Sequence, residues 1–249
     1  MLRRLLVVAA LSCLASPATA GAAAGEAGYA FAHPRLLTQQ LIWGLVHAAD
    51  LLATACHDDA DAGKAIADAH AEWRNRYRER IDSAYRELSN YYFASDDAPA
   101  GQLGVALHLT GQLDQRPDEI AAACASFVQA IVTPRYDLDM FYALRRDAAR
   151  VERADAVRRQ VAECTGKLAA EPAAALSAKF ADWQRDNELI EKVARSRLVA
   201  LKGDRPEDRL WRHDTGGAAA PPPVACEQLG GRLAEPAYAL RDVFGDENR

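Results

Sequence analysis

A long amphipathic stretch, Ile66 to Phe93, limits the folds open to this chain more than any other part of it. Its apolar residues recur at intervals of three and four and fall on one face of an α-helix, while charged residues fill the opposite face. Neither proline nor glycine interrupts the run, so it predicts a single helix of about 40 Å at 1.5 Å per residue. Because one helix cannot bury so long an aromatic stripe alone, other helices must pack against it.

Further amphipathic stretches predict an all-α protein. Helical patterns begin at Pro34, near Leu103, at Pro117, before Phe141 and at Pro172, and no hydrophobic–polar alternation typical of strands is present. We therefore predict a bundle of five or six helices. The expected domain organisation is a flexible N-terminal segment (21–33), a helical domain (34–202), a linker rich in glycine and proline (203–223) and a C-terminal segment (224–249) with a short helix from Glu235 to Phe244.

Two tryptophan-bearing stretches resemble each other weakly. His70 to Leu88 aligns without a gap with Phe180 to Leu198, which superimposes Trp73 on Trp183. Amphipathic helices also align this well by chance, so an internal duplication is a hypothesis; it would make two helical hairpins related by a pseudo-two-fold axis.

Residues 1–20 have the pattern of a secretory signal. Arg3 and Arg4 precede an apolar core, and Ala18-Thr19-Ala20 forms a small-residue cleavage site. The apolar run is too short to cross a bilayer. A competing interpretation is lipidation of Cys13, but the preceding Ala-Leu-Ser is a poor match to a lipoprotein signal. We therefore predict cleavage after Ala20 and no lipid anchor. Because arginine dominates lysine and alanine is abundant, as in high-GC bacteria, the expected compartment is the periplasm.

The charge balance argues against a nucleic-acid partner. The whole chain has a formal net charge of −5, and removal of Arg3 and Arg4 would make it −7. The remaining arginines are interleaved with acidic residues, whereas nucleic-acid binding calls for a basic face. No later stretch has 18 uninterrupted apolar residues, so no transmembrane segment is predicted in the mature chain.

Four cysteines remain after the predicted cleavage: Cys56, Cys124, Cys164 and Cys226. An even number in an oxidising compartment predicts two disulfides, with three pairings open. The alternative is four small buried hydrophobic residues. A bond at Cys226 would staple the C-terminal segment to the helical domain. No C-x-x-C sequence points to redox, zinc or haem chemistry.

Local motifs for catalysis are absent from the sequence. It contains no G-x-S-x-G, no S-x-x-K and no H-E-x-x-H, and no two histidines lie three to five residues apart. We therefore assign no catalytic residue, metal ligand or cofactor. A hydrolase remains an alternative, because catalytic triads converge in space rather than in sequence.

Aromatic residues supply the candidate contact or ligand surface: Trp43, Trp73, Tyr77, Tyr91, Tyr92, Phe93 and Trp183. The simpler interpretation is that they form the core. Tyr91-Tyr92-Phe93 differs, because three successive side chains on a helix cannot all face one core, so at least one should be exposed or pack on a loop.

The sequence alone favours binding over catalysis. We predict a non-enzymatic, protein-binding accessory, inhibitor or immunity-type factor whose partner is another envelope protein. The first alternative is a carrier or sensor of a small apolar ligand, which requires an apolar pocket beside Trp43, Trp73 or Trp183. The second is an unrecognised hydrolase.

Overall fold

A computed structural model describes residues 28–58, 62–200 and 219–245. The predicted signal sequence with its cleavage site, Cys13 and most of the predicted linker (203–218) lie outside the described residues. Within the described ranges the chain is helical and has no β-strand. None of the described helices is both long enough and apolar enough to cross a bilayer.

The described residues form eight α-helices and one short 3-10 turn. The α-helices are α1 Pro34–Ala55, α2 Gly63–Arg76, α3 Arg78–Phe93, α4 Ala100–Ala106, α5 Pro117–Ala130, α6 Leu138–Lys167, α7 Ala170–Ala200 and α8 Cys226–Arg232; the turn is Pro134–Tyr136. The all-α prediction is confirmed. The predicted count of five or six helices is too low.

Part of that difference comes from a break at Tyr77, which divides the predicted Ile66–Phe93 helix into α2 and α3. Tyr77 has φ −103° and ψ 19°, outside the helical region, although its N–H still donates to the carbonyl of Trp73 at 3.1 Å. Both halves pack on α1, but α2 also packs on α5 whereas α3 also packs on α4. Tertiary packing here overrides a local sequence that favours a continuous helix.

The C-terminal segment also differs from expectation. Its helix is α8, and residues 233–244 form turns instead of the predicted helix from Glu235 to Phe244. These turns bury Tyr238 and Leu240 in one apolar cluster and Val243 and Phe244 in another. A straight helix presents its apolar residues in one direction, so it could not place neighbouring side chains in two separate clusters.

Two apolar clusters form most of the core. The first lies between α1, α2, α3, α5 and the N-terminal half of α6. The second lies between the C-terminal half of α6, α7, α8 and the turns that follow α8. The long helices α6 and α7 are consecutive and pack against each other extensively, so that α6 contributes to both clusters.

Two disulfides join distant helices, as the cysteine count predicted. Cys56, just after α1, pairs with Cys124 of α5, and Cys164 of α6 pairs with Cys226 at the start of α8. The second bond attaches the C-terminal segment to the helical body.

Two residues at the described end of the predicted linker, Ala219 and Pro221, are buried, while Ala220, Pro222 and Pro223 are exposed. Ala219 is fully buried, and its carbonyl accepts a hydrogen bond from Arg153 Nε at 3.0 Å. Arg153 also donates to the carbonyl of Ala239 at 3.0 Å. Burial lowers the pKa of Arg153 to about 10, although the nearby carboxylate of Asp242 acts in the opposite direction. This guanidinium therefore ties two parts of the C-terminal segment to α6.

Candidate functional site

Three large side chains remain exposed where the N-terminal segment runs beside α4. Phe31 is 67% exposed, Tyr29 is 38% exposed and Val105 of α4 is 76% exposed. The N–H of Gly28 donates to the carbonyl of Ala106 at 3.0 Å, which fixes the segment alongside α4. We call Tyr29, Phe31, Tyr91 and Val105 the aromatic patch.

A buried amide on α1 holds the segment that carries Phe31. The side chain of Gln40 is fully buried; its Oε1 accepts from the N–H of Ala30 at 2.9 Å, and its Nε2 donates to the carbonyl of Gly28 at 3.3 Å. The Tyr92 hydroxyl donates to the same carbonyl and accepts from Gln40. Residues 28–30, at the end of the segment predicted to be flexible, are therefore hydrogen-bonded to α1 and α3.

The Tyr92 hydroxyl keeps its proton in this site. Burial raises its pKa above the ordinary value; the hydrogen bond from Gln40 lowers it in part, and the neighbouring Tyr91 and Tyr29 raise it again. Tyr92 therefore stays a neutral hydrogen-bond donor to Gly28 at physiological pH.

Aromatic rings line the base of the aromatic patch. Tyr91 and Tyr92 meet edge to face with ring centroids 4.9 Å apart, and His33 lies 6.2 Å from Tyr91. On the outer side, the rings of Tyr29 and Phe31 are 6.0 Å apart. The helix that carries Tyr91 ends at Ala94, whose φ of 51° turns the chain towards α4. Edge-to-face packing of this kind favours a fixed arrangement of the rings.

Four of the seven predicted contact residues are brought together in or beneath the aromatic patch. Tyr92 is buried in a third apolar cluster between α3 and α4, and Trp43, Tyr91 and Phe93 pack against it partly buried. Of the three successive aromatics, one therefore faces a core and two pack at its edge.

The other three predicted contact residues belong to the main core. Trp73 is 3% exposed and donates through Nε1 to the carbonyl of Tyr136 at 2.7 Å; Trp183 is 4% exposed and donates to the carbonyl of Tyr238 at 3.1 Å. Tyr77 is buried against Trp73, with ring centroids 5.9 Å apart. The structure gives these residues a packing role and does not bring them to the aromatic patch.

Three clefts among the described residues are lined mainly by polar side chains. One, of about 690 Å³, lies between α6 and α7, and a second of about 480 Å³ lies at the break between α2 and α3. A third, of about 320 Å³, adjoins the second. Trp43, Trp73 and Trp183 line none of these three clefts, so none of them is the apolar pocket that a ligand carrier requires.

A network of ion pairs lies beside the cleft of about 690 Å³ between α6 and α7. Glu191 accepts hydrogen bonds from Arg158 and, at 2.7 Å, from Arg195, and both arginines also contact Asp155. Burial raises the pKa of Glu191, but the hydrogen bonds and charges of the two arginines outweigh it, and the net shift is downward. A carboxylate held ionised in this way is a poor general acid at neutral pH.

A histidine–carboxylate pair is the arrangement nearest to catalytic geometry. His70 Nε2 lies 2.9 Å from Asp50 Oδ1, and Arg74 contacts the same carboxylate at 2.6 Å. Within the described ranges no serine hydroxyl or cysteine thiol hydrogen-bonds to His70, and all four described cysteines are in disulfides. Within those ranges the pair has no nucleophile beside it, and its contacts join α1 to α2.

In the part of the chain that the structure describes, no three His, Cys, Asp or Glu side chains cluster as metal ligands would.

Comparison with known proteins gives no relative: no family model, no curated protein and no solved structure matches this chain.

Sequence reasoning missed the exposed members of the aromatic patch. Tyr29 and Phe31 lie in a segment of small residues, and Val105 lies in the short helix that the sequence predicts near Leu103. A usable signal was present, since two aromatic residues outside any helical pattern have no core face to occupy.

Proposed function

We propose that the mature chain is an exported, periplasmic protein that binds another protein of the cell envelope through the aromatic patch. It carries out no chemical step of its own and acts as an accessory, inhibitor or immunity-type factor.

Export is supported by two independent features. Residues 1–20 have the charge pattern, apolar core and cleavage site of a secretory signal. The chain also carries two disulfides with sequence separations of 68 and 62 residues, and such bonds persist in oxidising compartments.

Binding through the aromatic patch is supported chiefly by one observation: Phe31 and Val105 are 67% and 76% exposed although their backbone surroundings are fixed by hydrogen bonds. A rigid, exposed aromatic side chain is suited to contacting another protein, because little conformational entropy is lost when it inserts into a pocket. The partner is therefore expected to offer an apolar pocket that receives Phe31.

Substitution of exposed residues tests this function. We expect Phe31→Ser and Val105→Ser each to weaken binding of the envelope partner at least about tenfold, the loss expected for one contact worth about 1.4 kcal/mol. The matched control is Leu189→Ser, which removes a 72% exposed leucine from α7. The readout is recovery of the partner with the tagged mature protein from detergent-solubilised envelopes, after circular dichroism has shown equal helix content.

Equal recovery of the partner by all three variants would rule out the aromatic patch as the contact surface. A loss with Leu189→Ser alone would move the contact to α7.

A further inference from the structure

The parts of the fold around the aromatic patch contain few charged residues. In the chain as a whole 26% of the residues are charged, but 28–33, 36–49, 88–95 and 98–113 contain no aspartate, glutamate, lysine or arginine. These ranges are the N-terminal segment, much of α1, the end of α3, and α4 with the loop after it. They are neighbours in space, since α3 packs on both α1 and α4, and the N-terminal segment is hydrogen-bonded to α4.

The exposed side of α4 continues this uncharged region beyond the aromatic patch. Gly101, Gln102 and Val105 are exposed and, at 3.6 residues per turn, lie within a sector of about 100°. No described atom outside α4 lies within 4 Å of the point where a Cβ would stand on Gly101 or Gly104. The described chain therefore leaves this side of α4 uncovered. We call Gly101, Gln102 and Val105 the α4 surface.

The opposite side of α4 is fixed to the core. Leu103 and Leu107 are 0% and 1% exposed and belong to the third apolar cluster. Just after the helix, the N–H of Leu109 donates to the carbonyl of Gly104 at 2.8 Å. The α4 surface therefore cannot turn inward to bury Val105.

The nearest charges along the chain lie at the two ends of this region. Before α4, Asp96 accepts a hydrogen bond from Asn90, and Asp97 accepts one from the Ser95 hydroxyl at 2.8 Å. After α4, the next charged residue is Asp114. Both carboxylates before α4 are thus bound by residues close to them in sequence, and the helix itself supplies no charge to a partner.

The α4 surface differs in this respect from the exposed side of α7. There Leu189 and Val193 are interspersed with Asp182, Arg185 and Lys192, a mixture typical of a solvated surface. Exposed apolar residues without charged neighbours are instead typical of the centre of an interface, where charged residues are depleted.

We propose that the partner covers the α4 surface together with the aromatic patch, through a contact surface that is itself apolar and uncharged. This inference rests on the proposed function and adds the chemistry of the partner. A charged side chain of the partner placed against the α4 surface would lose its hydration without meeting an opposite charge, which is unfavourable. Binding is therefore driven by burial of apolar area and not by attraction between charges.

Calorimetric titration at different salt concentrations tests the proposal. The titrant is the envelope protein captured by a photoreactive phenylalanine analogue at position 31, identified by mass and purified. We expect its dissociation constant to change less than about threefold between roughly 50 and 500 mM salt, because the contact has no charge pairs for salt to screen. A larger rise would reveal such pairs and overturn the proposal.

Charges introduced at Gln102 give a second test. Gln102→Lys and Gln102→Glu should each raise the dissociation constant at least about tenfold, because either charge is buried without a counter-charge. Gln102→Met, which is similar in size and uncharged, should bind at least as tightly as the native protein. The matched controls, Gln184→Lys and Gln184→Glu at an exposed glutamine of α7, should bind normally. Circular dichroism checks that all five variants keep the native helix content.

The outcomes separate this inference from the proposed function. Weaker binding with one sign of charge at position 102 and tighter binding with the other would show a charged partner surface. Unchanged binding in both charged variants, or a loss in Gln102→Met, would show that no apolar contact reaches Gln102. Each of these results overturns the inference, while a loss of binding in Phe31→Ser still supports the aromatic patch. Normal binding of Phe31→Ser, or no protein captured at position 31, would overturn both.

Discussion

Gln40 is the residue on which the position of the aromatic patch depends most. Its one side chain satisfies the N–H of Ala30, the carbonyl of Gly28 and the hydroxyl of Tyr92, all in a fully buried position. Nothing in the sequence distinguishes it from its neighbour Gln39, which is also fully buried but donates to Glu87. Such a role becomes visible only when the partners, ten and 52 residues away, are in place.

Gln40→Ala should therefore release residues 28–31 and destabilise the fold. The buried N–H of Ala30 loses its acceptor, at an expected cost of about 2 kcal/mol in the free energy of unfolding. Urea denaturation measures the loss, and hydrogen exchange should show faster exchange of the Ala30 amide. Gln102→Ala, at an exposed position of α4, is the control. Unchanged protection of Ala30 would contradict the role assigned to Gln40.

Glu191 provides the clearest pH dependence. Its pKa is raised by burial but lowered further by Arg158 and Arg195, so the folded-state pKa lies below the unfolded one. A depressed carboxylate pKa stabilises the fold above the unfolded pKa, and that contribution disappears as the pH falls through the folded pKa.

Glu191→Gln should accordingly be less stable than the native protein at pH 7, by roughly 1 kcal/mol for a partly exposed ion pair. The difference should shrink as the pH falls below about 4.3, the ordinary pKa of a glutamate. Thermal melts from pH 3 to pH 7 measure it, with Glu188→Gln on the exposed side of α7 as control. A stability difference between Glu191→Gln and the native protein that does not change with pH would contradict the ion pairs assigned to Glu191.

The sequence pattern predicts where helices lie and which of their faces are buried better than it predicts whether a helix is continuous. The periodic stretches correctly placed α1, α5, α6 and α7, and the proline at the start of α5 marks its first turn as expected. The break at Tyr77 could not be predicted, because it depends on tertiary contacts: α2 and α3 share α1 as a neighbour, but α2 also packs on α5 and α3 on α4. The turns after α8 were missed for a related reason, since their apolar residues divide between two clusters.

The Cys164–Cys226 disulfide should hold the C-terminal segment in place. The bond spans 62 residues, so its removal in Cys164→Ser/Cys226→Ser should lower the free energy of unfolding by about 4 kcal/mol in the chain-entropy model. Limited proteolysis should then cut within 219–245, because those residues lose their covalent attachment.

The other disulfide is the matched control. Cys56→Ser/Cys124→Ser removes a bond of similar span, 68 residues, and should cost a similar free energy without exposing residues 219–245 to protease. Equal cleavage of that segment in both variants would show that the Cys164–Cys226 bond is not what holds it.

Viewed as a whole, the molecule has parallel features in its two halves. Each disulfide starts at or near the end of a helix, at Cys56 or Cys164, and the helix that follows carries a buried tryptophan whose indole donates to a distant backbone carbonyl. The helices themselves differ, since Trp73 lies in the short α2 and Trp183 in the unbroken α7. The internal duplication stays a prediction, to which the structure adds the similar hydrogen bonds of the two indoles.

The sequence predicts some residues of the candidate site and not others. Tyr91, Tyr92 and Phe93 could be singled out because adjacent aromatics cannot share one core face. The sequence could not show that Trp73 and Trp183 belong to the core and not to the contact surface. Whether a tryptophan is buried depends on which distant segments pack over it. Phe31 and Val105 were missed because their exposure depends on where residues 28–33 lie against α4.

Photo-crosslinking in intact cells tests binding through the aromatic patch most directly. A photoreactive phenylalanine analogue is placed at position 31, 105 or 189 of the exported protein, and the adducts are separated by mass. We expect positions 31 and 105 to capture the same envelope protein, and position 189, on the exposed side of α7, to capture none of it. The same adduct at all three positions, or an adduct at position 189 alone, would contradict the proposed contact surface.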